Sequence, residues 1–250
     1  MSILSTQAEL ELKFDAILAE CPVWDDRNNL LYWVDILSGK LYRYNPQQRN
    51  NIEFEIDEHI GSLALCEDQG AVLALKSGFA LFDFEKRKMK HLYDPEIDLS
   101  NNRFNDGKCD PSGRFWAGTL SYDQQQGVGS LYCLNTNLSV HKKLRNLTIP
   151  NGMAWSIDEQ TFYFIDSHDH IIYAFDFDMM TGELQNRSVI FTLDHSEALP
   201  DGMTIDTEGK LWVALYNGFK VIRVDPTSGE VMHEILLPVP QVTSCDVWGT

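Results

Sequence analysis

Nowhere do the 250 residues run to the ~20 consecutive apolar side chains that a membrane-spanning helix needs. The N-terminus, MSILSTQAELELKFD, lacks the basic and then apolar stretches of a secretory leader. Cysteine is sparse. Cys21, Cys66, Cys109, Cys133 and Cys245 are odd in number, widely spaced and without a CxxC pair, which argues against a disulfide framework or a zinc knuckle. Basic residues are few as well, 20 against 37 acidic ones, and the net charge of -17 repels nucleic-acid backbones and anionic membrane surfaces. There is no G-x-S-x-G nucleophile elbow, and the seven histidines are scattered. The expectation is a soluble cytoplasmic protein with reduced thiols, a single domain over residues 1-250, and no nucleic-acid or membrane partner.

What the chain does contain is a repeat. Aromatic, alternating segments recur as LLYWVD (30-35), AVLALKSG (71-78), GRFWAGT (113-119), QTFYFIDS (160-167) and GKLWVALYN (209-217). Each is followed by a second alternating segment: KLYRYNP, FALFDFE, GSLYCLN, IIYAFDFD and FKVIRVDP. Period-two alternation punctuated by Ser-Gly, Pro-Ser-Gly and Thr-Gly turns specifies β-strands. The block opens at AECPVW, GSLALC, NDGKCD, PNGMAW, PDGMTID and VTSCDVW, and Cys21, Ser62, Gly107, Gly152, Gly202 and Cys245 are spaced 41 to 50 residues apart. That period, with several strands in each repeat, is a propeller blade. Six openings predict an all-β, six-bladed β-propeller whose sixth blade is incomplete, with AELELKFDAILA (8-19) available as its outer strand. Trp24, Trp33, Trp116, Trp155, Trp212 and Trp248, recurring at matched positions, read as core between blades.

Equivalent positions of a propeller converge on its axis. The position before the aligned set is occupied by Glu20, Gly61, Asp106, Asn151, Asp201 and Ser244. Two carboxylates with a neutral amide suit a hard divalent cation and leave positions open for water or substrate. Asp and Asn before Gly also make turns; their coincidence with Glu20, no turn former, favours a site. His168-Asp169-His170 carries two imidazoles, but its place between two strands reads as a polar hairpin.

These motifs resemble the gluconolactonase, regucalcin (senescence marker protein) and luciferin-regenerating-enzyme family, from AECPVWDD through NNRFNDGKCDPSGRFWAGT and PNGMAWSID to LPDGMTIDTEGKLWVALYNG. The resemblance implies a six-bladed propeller with one catalytic divalent metal, calcium or else zinc, magnesium or manganese, held by Glu20, Asn151 and Asp201. It implies Asp201 as general base and Arg103 and Asn105 as substrate contacts. Where regucalcin-type members carry an acidic sugar contact after A-G-T, this chain has Leu120-Ser121-Tyr122-Asp123, and Asp123 is the nearest candidate. Asp106 is either a support for the site or a turn former. Family members continue beyond the equivalent of SCDVWGT, so an unfinished sixth blade is expected here, leaving a monomer or a weak homo-oligomer through that blade. The implied activity is hydrolysis of a small sugar lactone. An organophosphate-type hydrolase of the same architecture and a non-catalytic calcium-binding propeller are the alternatives.

Overall fold

A computed structural model describes residues 3-68, 70-194 and 198-247. Trp248 lies outside the described residues. The chain divides into two compact units, residues 14-150 and residues 1-13 together with 151-250. The first unit holds three four-stranded antiparallel blades. A single strand, β1 (Leu4–Gln7), comes first in the chain and belongs to the second unit. Blade one is β2 (Ala19–Asp25), β3 (Leu30–Asp35), β4 (Lys40–Asn45) and β5 (Asn50–Glu55). Blade two is β6 (Ile60–Leu65), β7 (Gly70–Leu75), β8 (Gly78–Asp83) and β9 (Lys88–Tyr93). Blade three is β10 (Asn102–Cys109), β11 (Phe115–Ser121), β12 (Gly129–Leu134) and β13 (Val140–Leu147). The second unit holds blade four, β14 (Pro150–Trp155), β15 (Thr161–Asp166), β16 (Ile171–Phe177) and β17 (Leu184–Thr192), and blade five, β18 (Leu199–Ile205), β19 (Leu211–Tyr216), β20 (Lys220–Val224) and β21 (Val231–Leu236).

Side-chain chemistry grades across each blade. The second strands are the aromatic segments of the repeat, and β11 (FWAGTLS) is buried throughout. The fourth strands are polar: β9 (KMKHLY) and β13 (VHKKLRNL) are mostly exposed or half-buried. Apolar packing therefore concentrates away from the outer edges, where lysines discourage pairing with foreign strands.

The Asp-rich turns of the repeat have a specific job. Asp110 Oδ1 accepts the amides of Ser112 (2.9 Å) and Arg114 (3.0 Å), while Oδ2 accepts Trp116 Nε1 (2.9 Å) and Arg114 Nε. Asp206 repeats the pattern with the amides of Glu208 and Lys210 (both 3.0 Å), Trp212 Nε1 (2.9 Å) and Arg223 Nε (2.7 Å). Each aspartate closes a hairpin and anchors the indole N–H of the strand that follows. Trp33, Trp116 and Trp155 are buried, whereas Trp24 and Trp212 are only half-buried.

The fold is an all-β propeller, but the six blades expected from the repeat are corrected to five among the described residues. The sixth opening, residues 242-247, forms no strand. It lies along β18, where Gly202 N donates to Thr243 O (2.8 Å) and Thr204 Oγ1 to Asp246 Oδ1 (3.1 Å). Beside it, an isolated bridge joins Tyr216 and Gln241. The described part of this segment adds no blade of its own and lies as trim on blade five. The N-terminal strand is relocated as well. Residues 8-18 form no strand; β1 lies ahead of them and pairs in parallel with β21, Leu4 opposite His233 through Gln7 opposite Leu236. It covers the edge of blade five, whose backbone groups would otherwise be unpaired.

Candidate active site

The column read from the repeat falls on a recurrent backbone irregularity. First strands lose register with their neighbours between Glu20 and Val23, Ile60 and Ser62, Phe104 and Gly107, and Pro200 and Met203. A bulge bends the strand and re-aims the side chains at it, so Glu20, Asn105, Asp106 and Asp201 sit at or beside positions freed from ordinary ladder alternation. At the first of these Cys21 adopts a left-handed φ of 49°. Small residues let the first strands approach. A Cβ added at Gly61 would collide with the Phe104 and Asn105 backbone, and one at Gly107 with Ser62 Oγ.

In the first unit, β2 and β10 bring Glu20, Asp106, Arg103 and Asn105 into one electrostatic cluster. Glu20 is 9% exposed, and its carboxylate takes one hydrogen bond among the described residues, from Cys21 N at 3.1 Å. Asp106 accepts the amide of Gly107 in the same manner, at 2.8 Å. Burial, and then the neighbouring Asp106, push the Glu20 carboxyl up to about 8, with the Cys21 amide and Arg103 pulling against the shift. Burial also raises Asp106, opposed by Lys108 and the Gly107 amide. Two shielded acids with so few donors are pushed toward their protonated forms.

Arg103 is buried on the same strand. Its Nη1 donates to Phe104 O (2.8 Å) and Asn105 Oδ1 (2.9 Å), and Asn105 Nδ2 donates in turn to Pro150 O (3.0 Å). Arg103 Nε is buried with no hydrogen-bond partner among the described residues. The guanidinium is thus clamped at one nitrogen and unspent at another, as a ligand-binding arginine requires. Asp123 is exposed and accepts Asn101 Nδ2 at 2.9 Å.

In the second unit, Asn151 and Asp201 are 5% and 7% exposed. Asn151 Nδ2 donates to Ser167 Oγ at 2.7 Å, and the Ser167 hydroxyl donates to Pro200 O at 2.6 Å. His168 and Asp169 lie in a one-turn 3-10 helix, Ser167–Asp169, that His170 ends at a left-handed φ of 58°, so the two imidazoles do not share a strand face. Among the described residues no three His, Cys, Asp or Glu side chains are grouped to hold a metal.

A family model described as SMP-30/Gluconolactonase/LRE-like region matches residues 18-250. The chain belongs to that family. Regucalcin of Xenopus laevis is 42% identical over 237 residues, 93% of this chain and 79% of that protein. Among solved structures, a luciferin-regenerating enzyme superposes with a TM-score of 0.88 at 31% identity, covering 92% of this chain and 79% of the other. A calcium-binding regucalcin from Agrobacterium tumefaciens superposes with a TM-score of 0.92 at 26% identity, covering 98% and 82%. The SMP-30/gluconolactonase family thus includes hydrolases by name, together with members named for calcium binding.

Two features of this family member are not visible as motifs. Tyr122, on the loop after β11, places its ring 5.9 Å from the Arg103 guanidinium carbon, and its hydroxyl is 2.5 Å from His59 Nδ1. Burial lowers His59, helped by Arg103 and Lys76, and burial raises Tyr122. The phenol and the imidazole share this one short hydrogen bond beside Arg103. Ser167 is the second. A serine after Ile-Asp reads as a strand end, and nothing local ties it to Asn151.

Proposed function

We propose that this chain hydrolyses sugar lactones with the help of one divalent cation bound by Glu20, Asn151 and Asp201. The observation that carries the reading is the Glu20–Asp106 pair beside Arg103: two neighbouring acids with one hydrogen bond each, held above the usual carboxylate range, are placed to exchange protons for a cation. The donor chemistry fits a hard ion, since Glu20 and Asp201 offer carboxylate oxygens and Asn151 an amide oxygen. Membership in a family named for gluconolactonases supports the reaction class, and the calcium-binding relative makes calcium the first ion to try, with zinc, magnesium and manganese after it.

When bound, the ion supplies a Lewis acid for the lactone carbonyl. Arg103, held by Asn105, offers Nε–H to a substrate oxygen and fixes the ring. The phenol of Tyr122 walls the guanidinium, and Asp123 receives an outlying hydroxyl. Asp201 accepts the proton of the attacking water as general base. Positioning of this kind converts binding into rate.

The test is a pH-indicator assay of the full chain on gluconolactone and on a phosphotriester, with chelator and with separate metal add-back. We expect chelator-sensitive turnover of the lactone in preference to the phosphotriester, and a loss of about 10²–10⁴-fold in Asp201→Ala. Full lactone turnover in Asp201→Ala, or indifference to chelator, overturns the proposal.

A further inference from the structure

Among the described residues two arginines of the first unit are buried, and they are partnered differently. Arg114, 6% exposed, lies against the Asp110 carboxylate through its Nε. Arg103, 9% exposed, has no carboxylate in ion-pair contact among the described residues. Its hydrogen bonds both leave from Nη1 and end on the neutral oxygens Phe104 O and Asn105 Oδ1. The opposite edge, Nε and Nη2, is the fork that a carboxylate takes with two parallel bonds, and it makes no hydrogen bond among the described residues. Burial lowers Arg103, opposed by Tyr122 and Glu20, yet a guanidinium keeps its proton. Neighbouring carboxylates are committed elsewhere. Glu58 accepts the amide and the hydroxyl of Ser77, both at 3.0 Å, Asp123 accepts Asn101 Nδ2 at 2.9 Å, and Glu20 belongs to the proposed cation site. What stands beside the guanidinium is Tyr122, 5.9 Å from ring centroid to guanidinium carbon. Its amide donates to Asn101 O at 2.9 Å and its hydroxyl meets His59 Nδ1 at 2.5 Å, so the ring is tied at both ends. A phenol attracts a cation through its face but carries no charge at neutral pH, so it does not neutralise the arginine.

We infer that the sugar lactone taken by this site carries an anionic group, a carboxylate such as the free end of a sugar diacid, which Arg103 binds. Tyr122, fixed by His59, is then a specificity-determining residue: its uncharged ring leaves the charge of the guanidinium for the substrate. The inference rests on the lactonase reading above and names the substrate class for it. A buried guanidinium without a counter-charge is costly, and a substrate carboxylate relieves that cost on binding, where the hydroxymethyl group of gluconolactone does not.

Steady-state hydrolysis of glucono-γ-lactone and of the matching γ-lactone of glucaric acid tests this on the full chain with calcium. The two compounds differ in a terminal hydroxymethyl against a carboxylate. The wild type should favour the diacid lactone in kcat/KM by about 10-fold or more, the size of one charge-assisted pair. Tyr122→Glu sets a carboxylate beside the guanidinium and should lower the ratio of the two kcat/KM values about 10-fold, whereas Tyr122→Phe, still uncharged, should hold it within about 3-fold. Both values are measured on one protein sample, so a change in folded fraction does not move their ratio. A wild type that treats the two lactones alike or prefers gluconolactone overturns the inference and leaves the proposed function standing. So does an unchanged ratio in Tyr122→Glu, or an equal fall in both variants. Turnover of neither lactone by the wild type overturns both. If Tyr122→Glu does not fold, Arg103→Gln, which removes the charge itself, should lower the ratio by about 10-fold, and an unchanged ratio there overturns the inference.

Discussion

Asp106 and Asp110 belong to one short stretch of chain and are put to opposite uses. Asp110, 4% exposed, has both oxygens filled by two backbone amides, the Trp116 indole and the Arg114 guanidinium. Asp106, at the bulge, receives one amide and faces Glu20. The first carboxylate is a finished structural element that closes a hairpin. The second receives one donor beside another acid, a setting that disfavours its charged form. What separates the two aspartates is how many donors each has been given.

The largest expected effect comes from breaking the finished member. Asp110→Ala removes the carboxylate that a buried guanidinium and an indole N–H share, and should destabilise the chain by about 3–5 kcal/mol, on the order of 10 °C in Tm. Calcium affinity measured on the folded fraction should stay near wild type. A Tm within about 2 °C of wild type would mean that the Asp110 network contributes little and that the contrast is false.

Breaking the unfinished member should do the reverse. Asp106→Asn relieves the repulsion on Glu20, so the metal-free protein should melt no earlier than wild type. Its calcium affinity should fall about 10-fold, or ~1.4 kcal/mol. An early melt with unchanged calcium affinity makes Asp106 a turn former after all.

The last effect is the most gradual, a slope with pH. The Glu20 carboxyl is raised from 4.5 to about 8, first by burial and then by Asp106. Between those values the metal-free folded chain keeps a proton that the unfolded chain has released, so its stability should decline as pH rises through the window, at no more than about 1.4 kcal/mol per pH unit. Chemical denaturation from pH 5 to 8 measures this, and Glu20→Gln or saturating calcium should flatten it. A stability that rises with pH through the window, with its slope untouched by Glu20→Gln, contradicts the assigned environment.

Much of this was legible in the linear chain because propeller blades repeat. The aromatic second strands fall where alternation placed them, LLYWVD coinciding with β3 and QTFYFIDS containing β15. The column of Glu20, Asp106 and Asp201 falls at register breaks in the first strands, because a repeated backbone irregularity imposes a repeated sequence position. The blade count was not legible. VTSCDVW has the composition of a first strand, but a strand is defined by its ladder, and the described residues 242-247 form none. Likewise the alternation in AELELKFDAILA suggested a strand, whereas the polar LSTQ before it pairs with β21, since an open edge selects whatever backbone reaches it.

The sequence by itself determined the all-β propeller class, the strand period and the family, because these depend on side-chain alternation and on long ordered motifs. The tertiary structure alone decided that there are five blades among the described residues, that Tyr122 and His59 stand beside Arg103, and that Ser167 accepts a hydrogen bond from Asn151. Each of those outcomes depends on hydrogen-bond partners from distant parts of the chain, and no local pattern of residues encodes which donor will meet which acceptor.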